Sequence, residues 1–354
     1  MITECGVRHA ACESAACGSA LRNFNMLSPL YDFIDRLPKV ELHLHLEGSV
    51  EPPVLRQLSG YAGQDAESLY RYDRFYDFLM AFKTVCLMLR SPADFERVTY
   101  DLLARLARQQ VHYAEVFFSP SIHRRNGLAV DRVFEALYRG RDRARAEFGI
   151  ETALLLDSVR QWGVAEARYV MDLAVEHRGT GVVGIGIGGD EVAAPPELFR
   201  EIYEDARARG LHAVAHAGEA AGAASVWGAL RALGAERIGH GVRAAEDPAL
   251  VDYLRDRQVP VEVCLTSNRM TGLVASWVDH PVRRFFDAGL RVTLHTDDPA
   301  MFRTTLTAEY RLLADHFHFT AEEIRQVARH GVLAAFLPEA RKVDILREID
   351  AVAL

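Results

Sequence analysis

The amino-acid sequence predicts an α/β fold, a closed TIM (β/α)8 barrel with a helical lid inserted after the first strand. Two features lead to this prediction. From residue 27 onward, short runs with strand character alternate with amphipathic helical stretches, which is typical of a parallel sheet covered by helices on both faces. About 270 residues hold eight such strands, which matches this barrel in number and length.

The predicted strands are Val40–Leu46, Tyr113–Phe118, Thr152–Asp157, Val182–Ile187, His212–Ala215, Arg237–Gly239, Val261–Cys264 and Val292–His295. Ser91-Pro92 supplies a cap and a proline at the first helical position, so a helix is predicted from there to about Gln109. Asp298-Pro299 predicts a helix directly after the last strand. Residues 52–90 exceed one crossover helix and predict an inserted helical pair, which either covers the barrel mouth or packs in the outer layer.

Composition and charge restrict the class of protein. Hydrophobic residues make up 49% and charged residues 25%, so a globular chain is expected. Residues 1–25 are predicted to be a disordered extension before one domain at 26–354. The net charge of −8 argues against nucleic acid as a partner, and no apolar run reaches the roughly 18 residues of a membrane span. Five cysteines without a CxxC pair favour the cytoplasm. The sequence carries no pattern that specifies an oligomeric state.

Residues able to bind a metal ion gather at the predicted carboxyl ends of four strands, where the active sites of such barrels form. The first strand ends in His43-Leu44-His45, and this spacing places both imidazoles on one face. Buried histidines and carboxylates are costly unless paired or metal-bound. The predicted ligands of one Zn²⁺ ion are His43, His45, His216 and Asp297, because three imidazoles and a carboxylate suit zinc.

The remaining polar residues at these strand ends fit a hydrolytic site. A zinc ion with an open position would lower the pKa of a bound water from about 15.7 towards 7. Glu219 is placed to donate a proton, while His240 and Asp298 orient ligands or face the substrate. The chain has three lysines, none near the end of the fourth strand, so a single metal is expected rather than a lysine-bridged pair. The glycines before Asp190 allow a flat ligand to approach the backbone.

Four segments resemble the adenosine deaminase family of the amidohydrolase superfamily and follow the order found there. They are VELHLHLEGS at 40–49, HAGE at 216–219, RIGHG at 237–241 and HTDDP at 295–299. CLTSN at 264–268 and HP at 280–281 further resemble the bacterial branch of the family. The resemblance runs over roughly residues 30–338.

The resemblance implies a one-zinc barrel that removes the 6-amino group of a purine by hydrolysis, with the four ligands given above. It also implies that Glu219 protonates ring N1, that His240 orients and helps to deprotonate the attacking water with assistance from Asp297, that Asp298 hydrogen-bonds N7, and that the Gly189 main-chain N–H meets N3. Addition at C6 destroys aromaticity and requires a proton at N1, so the pKa of Glu219 should be raised.

Two departures from the family pattern bear on the substrate. Animal members read DLAGDE where this chain reads GIGGDE at 186–191, and His295 stands where asparagine is frequent. We therefore predict a zinc-dependent deaminase of an adenosine-like 6-aminopurine nucleoside, with adenine and aminodeoxyfutalosine as alternative substrates. A cyclic-amide or ester hydrolase and a non-catalytic purine sensor are the competing functions. The chain lacks the P-C-x-x-C zinc motif of nucleic-acid base deaminases, which argues against an editing role.

Overall fold

Eight parallel strands follow chain order around a barrel in a computed structural model, which describes residues 29–354 except 64, 73 and 74. The strands are β1 Lys39–His45, β2 Val111–Phe118, β3 Glu151–Val159, β4 Val182–Gly188, β5 His212–Ala217, β6 Arg237–His240, β7 Val261–Val263 and β8 Val292–Leu294. The predicted barrel is thus confirmed, and no strand end differs from its prediction by more than two residues. The predicted extension at 1–25 lies outside the described residues.

The barrel closes between β1 and the residues that follow β8. The Asp297 N–H donates to the His43 carbonyl at 2.9 Å, and the His45 N–H donates to the Asp297 carbonyl at 2.8 Å. These two bonds form an isolated parallel bridge opposite Leu44. The same contact that joins the last strand to the first therefore places Asp297 beside both histidines of β1.

The helices that surround the barrel are α1 at 29–36, α2 Pro52–Leu55, α3 Phe75–Met88, α4 Pro92–Ala107, α5 Pro120–Arg125, α6 Val130–Phe148, α7 Val164–His177, α8 Arg200–Ala208, α9 Ala223–Gly228, α10 Pro248–Arg257, α11 Leu265–Met270, α12 Val282–Asp287, α13 Leu306–Phe317, α14 Ala321–Ala334 and α15 Glu339–Ala351. The helix predicted after Ser91 is α4, and a capping box between Ser91 and Asp94 starts it. Within the described part of the chain, no helix combines the length and apolar character needed to cross a bilayer.

The helix predicted at Asp298-Pro299 is wrong. Residues 299–303 form a turn, and α13 begins only at Leu306 after the Thr305 cap. The Ala300 N–H donates to the Gly48 carbonyl at 3.1 Å, which ties this turn to the loop after β1. Arg303 then adopts a left-handed φ of 50°, which interrupts a right-handed helix.

The insertion after β1 contains one long helix, α3, rather than the predicted pair, because α2 spans only four residues. Tyr72 and α3 of this insertion lie over the turn that follows β8. The Tyr72 hydroxyl donates to the Met301 carbonyl, and the Phe78 ring stacks on Phe302 with centroids 4.9 Å apart. Of the two alternatives for this segment, the structure therefore shows the one in which it covers the barrel mouth.

Candidate active site

Four side chains from three parts of the barrel meet at its mouth. His43 and His45 lie on β1, His216 lies on β5, and Asp297 follows β8. Their ligand atoms all lie within 4.8 Å of one another. His45 Nε2 is 3.3 Å from His216 Nε2 and 3.4 Å from Asp297 Oδ1. The structure thus brings the four predicted ligands together, and we call them the metal cluster.

The metal cluster has the dimensions of a divalent-metal site. Zn–N bonds of about 2.0–2.1 Å place tetrahedral ligand atoms about 3.4 Å apart, close to the separations within the cluster. His43 Nε2 lies 3.7 Å from Asp297 Oδ1, is buried, and has no hydrogen-bond partner among the described residues. A buried nitrogen without a partner is rare in native proteins. A metal ion among the four ligand atoms would satisfy it, so the residues fit the implied metal.

A buried chain of charges holds His43. Its Nδ1 donates to the Glu262 carboxylate at 2.8 Å, which leaves the Nε2 lone pair for a metal. The Arg237 guanidinium contacts Glu262 at 2.5 Å and Glu115 at 2.6 Å, and all three charged side chains are buried. Burial raises the pKa of Glu262, but Arg237 and His43 together lower it to about 2. Glu262 therefore stays ionised and orients the His43 ring.

Two further ligands are held through their second polar atoms. His216 Nδ1 lies 3.1 Å from the carbonyl of Ile187, at the neighbouring strand β4. The Ser267 hydroxyl donates to Asp297 Oδ2 at 2.6 Å and leaves Oδ1 facing the histidines. These bonds fix the ring and the carboxylate before any ligand arrives.

Local electrostatics favour the ligand forms of His45, His216 and Asp297. For His43, burial lowers the pKa but the Asp297 and Glu262 carboxylates raise it to about 10, so a metal ion would have to displace a proton from this ring. Burial lowers the pKa of His45 to about 4 and that of His216 well below its ordinary value, so both rings are neutral at pH 7. Burial alone would raise the pKa of Asp297, yet the neighbouring His43 and His240 rings hold it below its usual range. Neutral imidazoles and an ionised carboxylate are the forms that bind metals.

Glu219 lies on the loop after β5, and a second carboxylate holds this loop. Glu191 accepts hydrogen bonds from the N–H groups of Gly218 at 2.6 Å, Glu219 at 3.1 Å and Ala221 at 2.8 Å. Burial raises the pKa of Glu219 above its ordinary value. The shift is in the direction that a proton donor requires.

His240 ends β6 and lies between Glu219 and the metal cluster. Its Nε2 is 3.7 Å from Glu219 Oε2 and 3.9 Å from Asp297 Oδ2. Both His240 and Asp297 have left-handed backbones, with φ of 61° and 64°. Such conformations are unfavourable for residues other than glycine and concentrate at functional sites.

The two predicted substrate contacts differ in how closely the structure joins them to the cluster. Asp298 is next to a ligand and is buried, and no residue that the structure describes hydrogen-bonds its Oδ1. Burial and the neighbouring Asp297 raise its pKa well above the ordinary value. Gly189 follows β4 with φ of 95°, and a Cβ there would lie 2.2 Å from Gln161 Oε1. Glycine is therefore required at 189, at the rim of the site.

Asp157, at the end of β3, was not singled out from the sequence. Burial raises its pKa to about 7, and in the described part of the chain its Oδ1 has no hydrogen-bond partner. A Cβ on Gly186 would lie 3.0 Å from this oxygen and 2.6 Å from Phe117 Cε1. Asp157 thus places a carboxyl group from the adjacent strand close to position 186, where the family pattern has an acid.

Sequence reasoning also missed the residues that orient the site, namely Glu262, Arg237, Glu191, Ser267, Asn268 and His280. Several of them belong to the motifs quoted above, but they were given no role. Glu262 carried a usable signal, since it stands between two valines of a strand predicted to be buried. A charge in that position needs a buried partner.

A groove of about 740 Å³ opens beside Glu219. It is lined by the segments after β6 and β7, including Arg243, Thr271 and Arg284. The Glu219 side chain is 25% exposed, whereas that of His240 is fully buried. Glu219 is therefore the point at which the candidate site meets the groove.

Comparisons with known proteins agree with this geometry. Residues 38–352 match the family model described as adenosine deaminase. An aminodeoxyfutalosine deaminase of Streptomyces avermitilis is 38% identical over 91% of this chain and 92% of its own length. An adenine deaminase of Streptomyces coelicolor is 38% identical over 91% of this chain and 97% of its own.

A solved structure supports the same relationship. An amidohydrolase of Burkholderia ambifaria with bound zinc is 28% identical, covers 91% of this chain and 93% of its own, and has a TM-score of 0.85. The family match spans nearly all of the described barrel, and the motifs of the resemblance supply the metal cluster. The chain belongs to the adenosine deaminase family.

Proposed function

We propose that this chain is a zinc-dependent enzyme that removes the 6-amino group of a purine by hydrolysis. The observation that carries the proposal is the position of Glu219, a carboxyl with a raised pKa that adjoins His240 beside the metal cluster. Hydrolytic deamination needs an activated water on one side and a proton donor on the other. This arrangement supplies both in one buried site.

Each residue has a part in the proposed reaction. The metal cluster would hold the ion, which when bound lowers the pKa of a water molecule. Glu219 gives its proton to ring N1 and so makes C6 electron-poor, while His240 contacts the attacking water. Asp298, whose pKa is raised by burial and by Asp297, donates a hydrogen bond to N7 from its protonated form, and the Gly189 N–H meets N3. Oxygen from water replaces the amino group, which leaves as ammonia.

Zinc is the proposed metal because three imidazoles and one carboxylate suit it. The zinc-bound amidohydrolase of Burkholderia ambifaria supports this choice. One ion per chain is expected from the one metal cluster found among the described residues. Cys86 and Cys264, which are buried free thiols, fit the proposed cytoplasmic location.

The proposed substrates are adenosine-like nucleosides, with adenine and aminodeoxyfutalosine as equally supported alternatives. The relatives named above are described as deaminases of these last two compounds. The test is ammonia release by zinc-loaded protein from adenosine, deoxyadenosine, adenine, methylthioadenosine and aminodeoxyfutalosine. Turnover of one or more is expected. Zinc-loaded protein that is inert towards all five would overturn the proposal and favour a purine sensor or another hydrolase.

A further inference from the structure

A chain of three hydrogen bonds leads from the backbone of α12 to His240. The Val282 N–H donates to His280 Nδ1 at 3.1 Å, and His280 Nε2 lies 3.1 Å from Asn268 Oδ1. Asn268 Nδ2 then lies 3.0 Å from His240 Nδ1. His240, Asn268 and His280 are all buried. Neither His280 nor Asn268 touches the metal cluster through these bonds, yet both act on a residue beside it.

The donor and the acceptor of every bond in this hydrogen-bond chain follow from its first bond, between Val282 and His280. A backbone N–H only donates, so His280 Nδ1 is an acceptor and carries no proton. Burial lowers the pKa of His280 to about 3, so the ring is neutral and its single proton is on Nε2. That N–H donates to Asn268, which must present its oxygen, since an amide turned the other way would place two donors face to face.

The last bond then determines the state of His240. Asn268 has its oxygen towards His280, so its NH₂ faces His240 Nδ1 and donates to it. His240 Nδ1 is therefore an acceptor without a proton, and a neutral ring must carry its proton on Nε2. This nitrogen faces Glu219 and Asp297, and it has no partner among the described residues.

We propose that His280 and Asn268 are positioning residues that hold His240 as the Nε2–H tautomer, so that His240 donates a hydrogen bond to the attacking water rather than accepting one. This inference rests on the proposed function for its catalytic meaning. The tautomer itself is a property of the hydrogen-bond chain and is measurable without turnover.

The first test is long-range ¹H–¹⁵N correlation of the histidine rings in zinc-loaded protein, with the His240 signal assigned by its loss in His240→Gln. A proton on Nε2 of His240 at neutral pH is expected. A proton on Nδ1 would overturn the inference whatever the activity. Protein with the expected tautomer but no turnover of any 6-aminopurine would instead refute the proposed function.

The second test is Asn268→Asp, which keeps the shape of the side chain and replaces its donor with an acceptor. The new carboxylate would accept from His280 and from His240, which forces the proton of His240 onto Nδ1. If His240 donates to water, kcat should fall by roughly 10²–10³-fold, as for the loss of one preorganised donor, while KM and zinc content change little. If His240 is a base, the carboxylate supports it, and an unchanged or raised kcat would contradict the inference.

Two variants complete the design. Asn126→Asp makes the same change at an exposed position at the end of α5 and should leave kcat and the His240 spectrum unchanged. His280→Ala removes the anchor of Asn268 and should give a mixture of His240 tautomers. His280→Gln, whose amide again donates to Asn268, should restore the single tautomer. A single Nε2–H state in His280→Ala would show that His280 does not set it.

Discussion

The metal cluster and a second group, the carboxyl pair Asp157 and Asp298, differ in how their buried polar atoms are satisfied. In the metal cluster, His43 bonds Glu262 and Asp297 bonds Ser267, so their free atoms point to one place. In the carboxyl pair, each side chain keeps one buried oxygen without a partner. Burying such an oxygen costs free energy of folding.

Both groups leave buried polar atoms for a ligand, but only the metal cluster directs those atoms to one place through its own hydrogen bonds. Metal ligands need one geometry, and the chain builds it with its own hydrogen bonds. The carboxyl pair has polar atoms that the chain leaves unsatisfied, although both pKa values are raised by burial. Variants of the metal cluster, of Glu219 and of the carboxyl pair test this difference, and the largest effect is described first.

The largest effect is expected from His43→Ala. This variant loses one of the four ligands, the one that Glu262 orients. It should no longer bind zinc stably, and turnover should fall by roughly 10⁴-fold or more. Zinc analysis and ammonia release measure both. His316→Ala, at an exposed histidine of α13, is the control and should keep zinc. One zinc per chain in His43→Ala would contradict the assigned metal cluster.

Glu219→Gln should separate catalysis from metal binding. The amide cannot protonate N1, so turnover should fall by about 10²–10⁴-fold while zinc content is unchanged. Glu246→Gln, at a residue on the same groove that pairs with Arg243, should keep full activity. A Glu219→Gln enzyme as active as its parent would remove the proposed acid.

Glu262→Gln tests whether the metal cluster depends on its buried support. The change weakens the hold on His43 and leaves Arg237 with Glu115 as its carboxylate partner, so zinc affinity should fall by about 10–100-fold. Competition with a chelator measures the affinity. Glu236→Gln, in the surface pair with His212, should leave it unchanged. Equal affinities in the two variants would show that His43 needs no such partner.

Asp157→Asn tests how much free energy of folding it costs to bury the carboxyl pair. The folded-state pKa of Asp157 is raised to about 7, so the folded protein holds this proton more tightly than the unfolded chain does. Its contribution to stability is therefore present at low pH and is lost as pH rises from about 4 to about 7. The variant lacks this loss, so its stability relative to the parent should grow over that window by roughly 1–3 kcal/mol.

Urea unfolding across this pH window measures the difference between Asp157→Asn and its parent. Asp256→Asn, at an exposed residue of α10, is the matched control and should show no pH-dependent gain. A gain that is constant with pH would mean that the Asp157 proton is not involved.

Much of the fold and of the site was predictable because the signals are local. A spacing of two places His43 and His45 on one face of a strand, and strand ends mark the mouth of a barrel. The turn at Asp298-Pro299 was not predictable in this way. Its geometry depends on a hydrogen bond to Gly48, some 250 residues earlier in the chain, and nothing in the local sequence reports it.

The amino-acid sequence by itself determined the barrel, the order of its strands and the residue types at the ends of those strands, because periodicity and motif spacing are properties of neighbouring residues. Tertiary structure alone decided which atoms face one another. The bond from His43 to Glu262 spans 219 residues, and the chain from Val282 to His240 sets the position of one proton. Which atom donates and which accepts in these hydrogen bonds depends on which side chains are in contact, and those contacts form only in the folded protein.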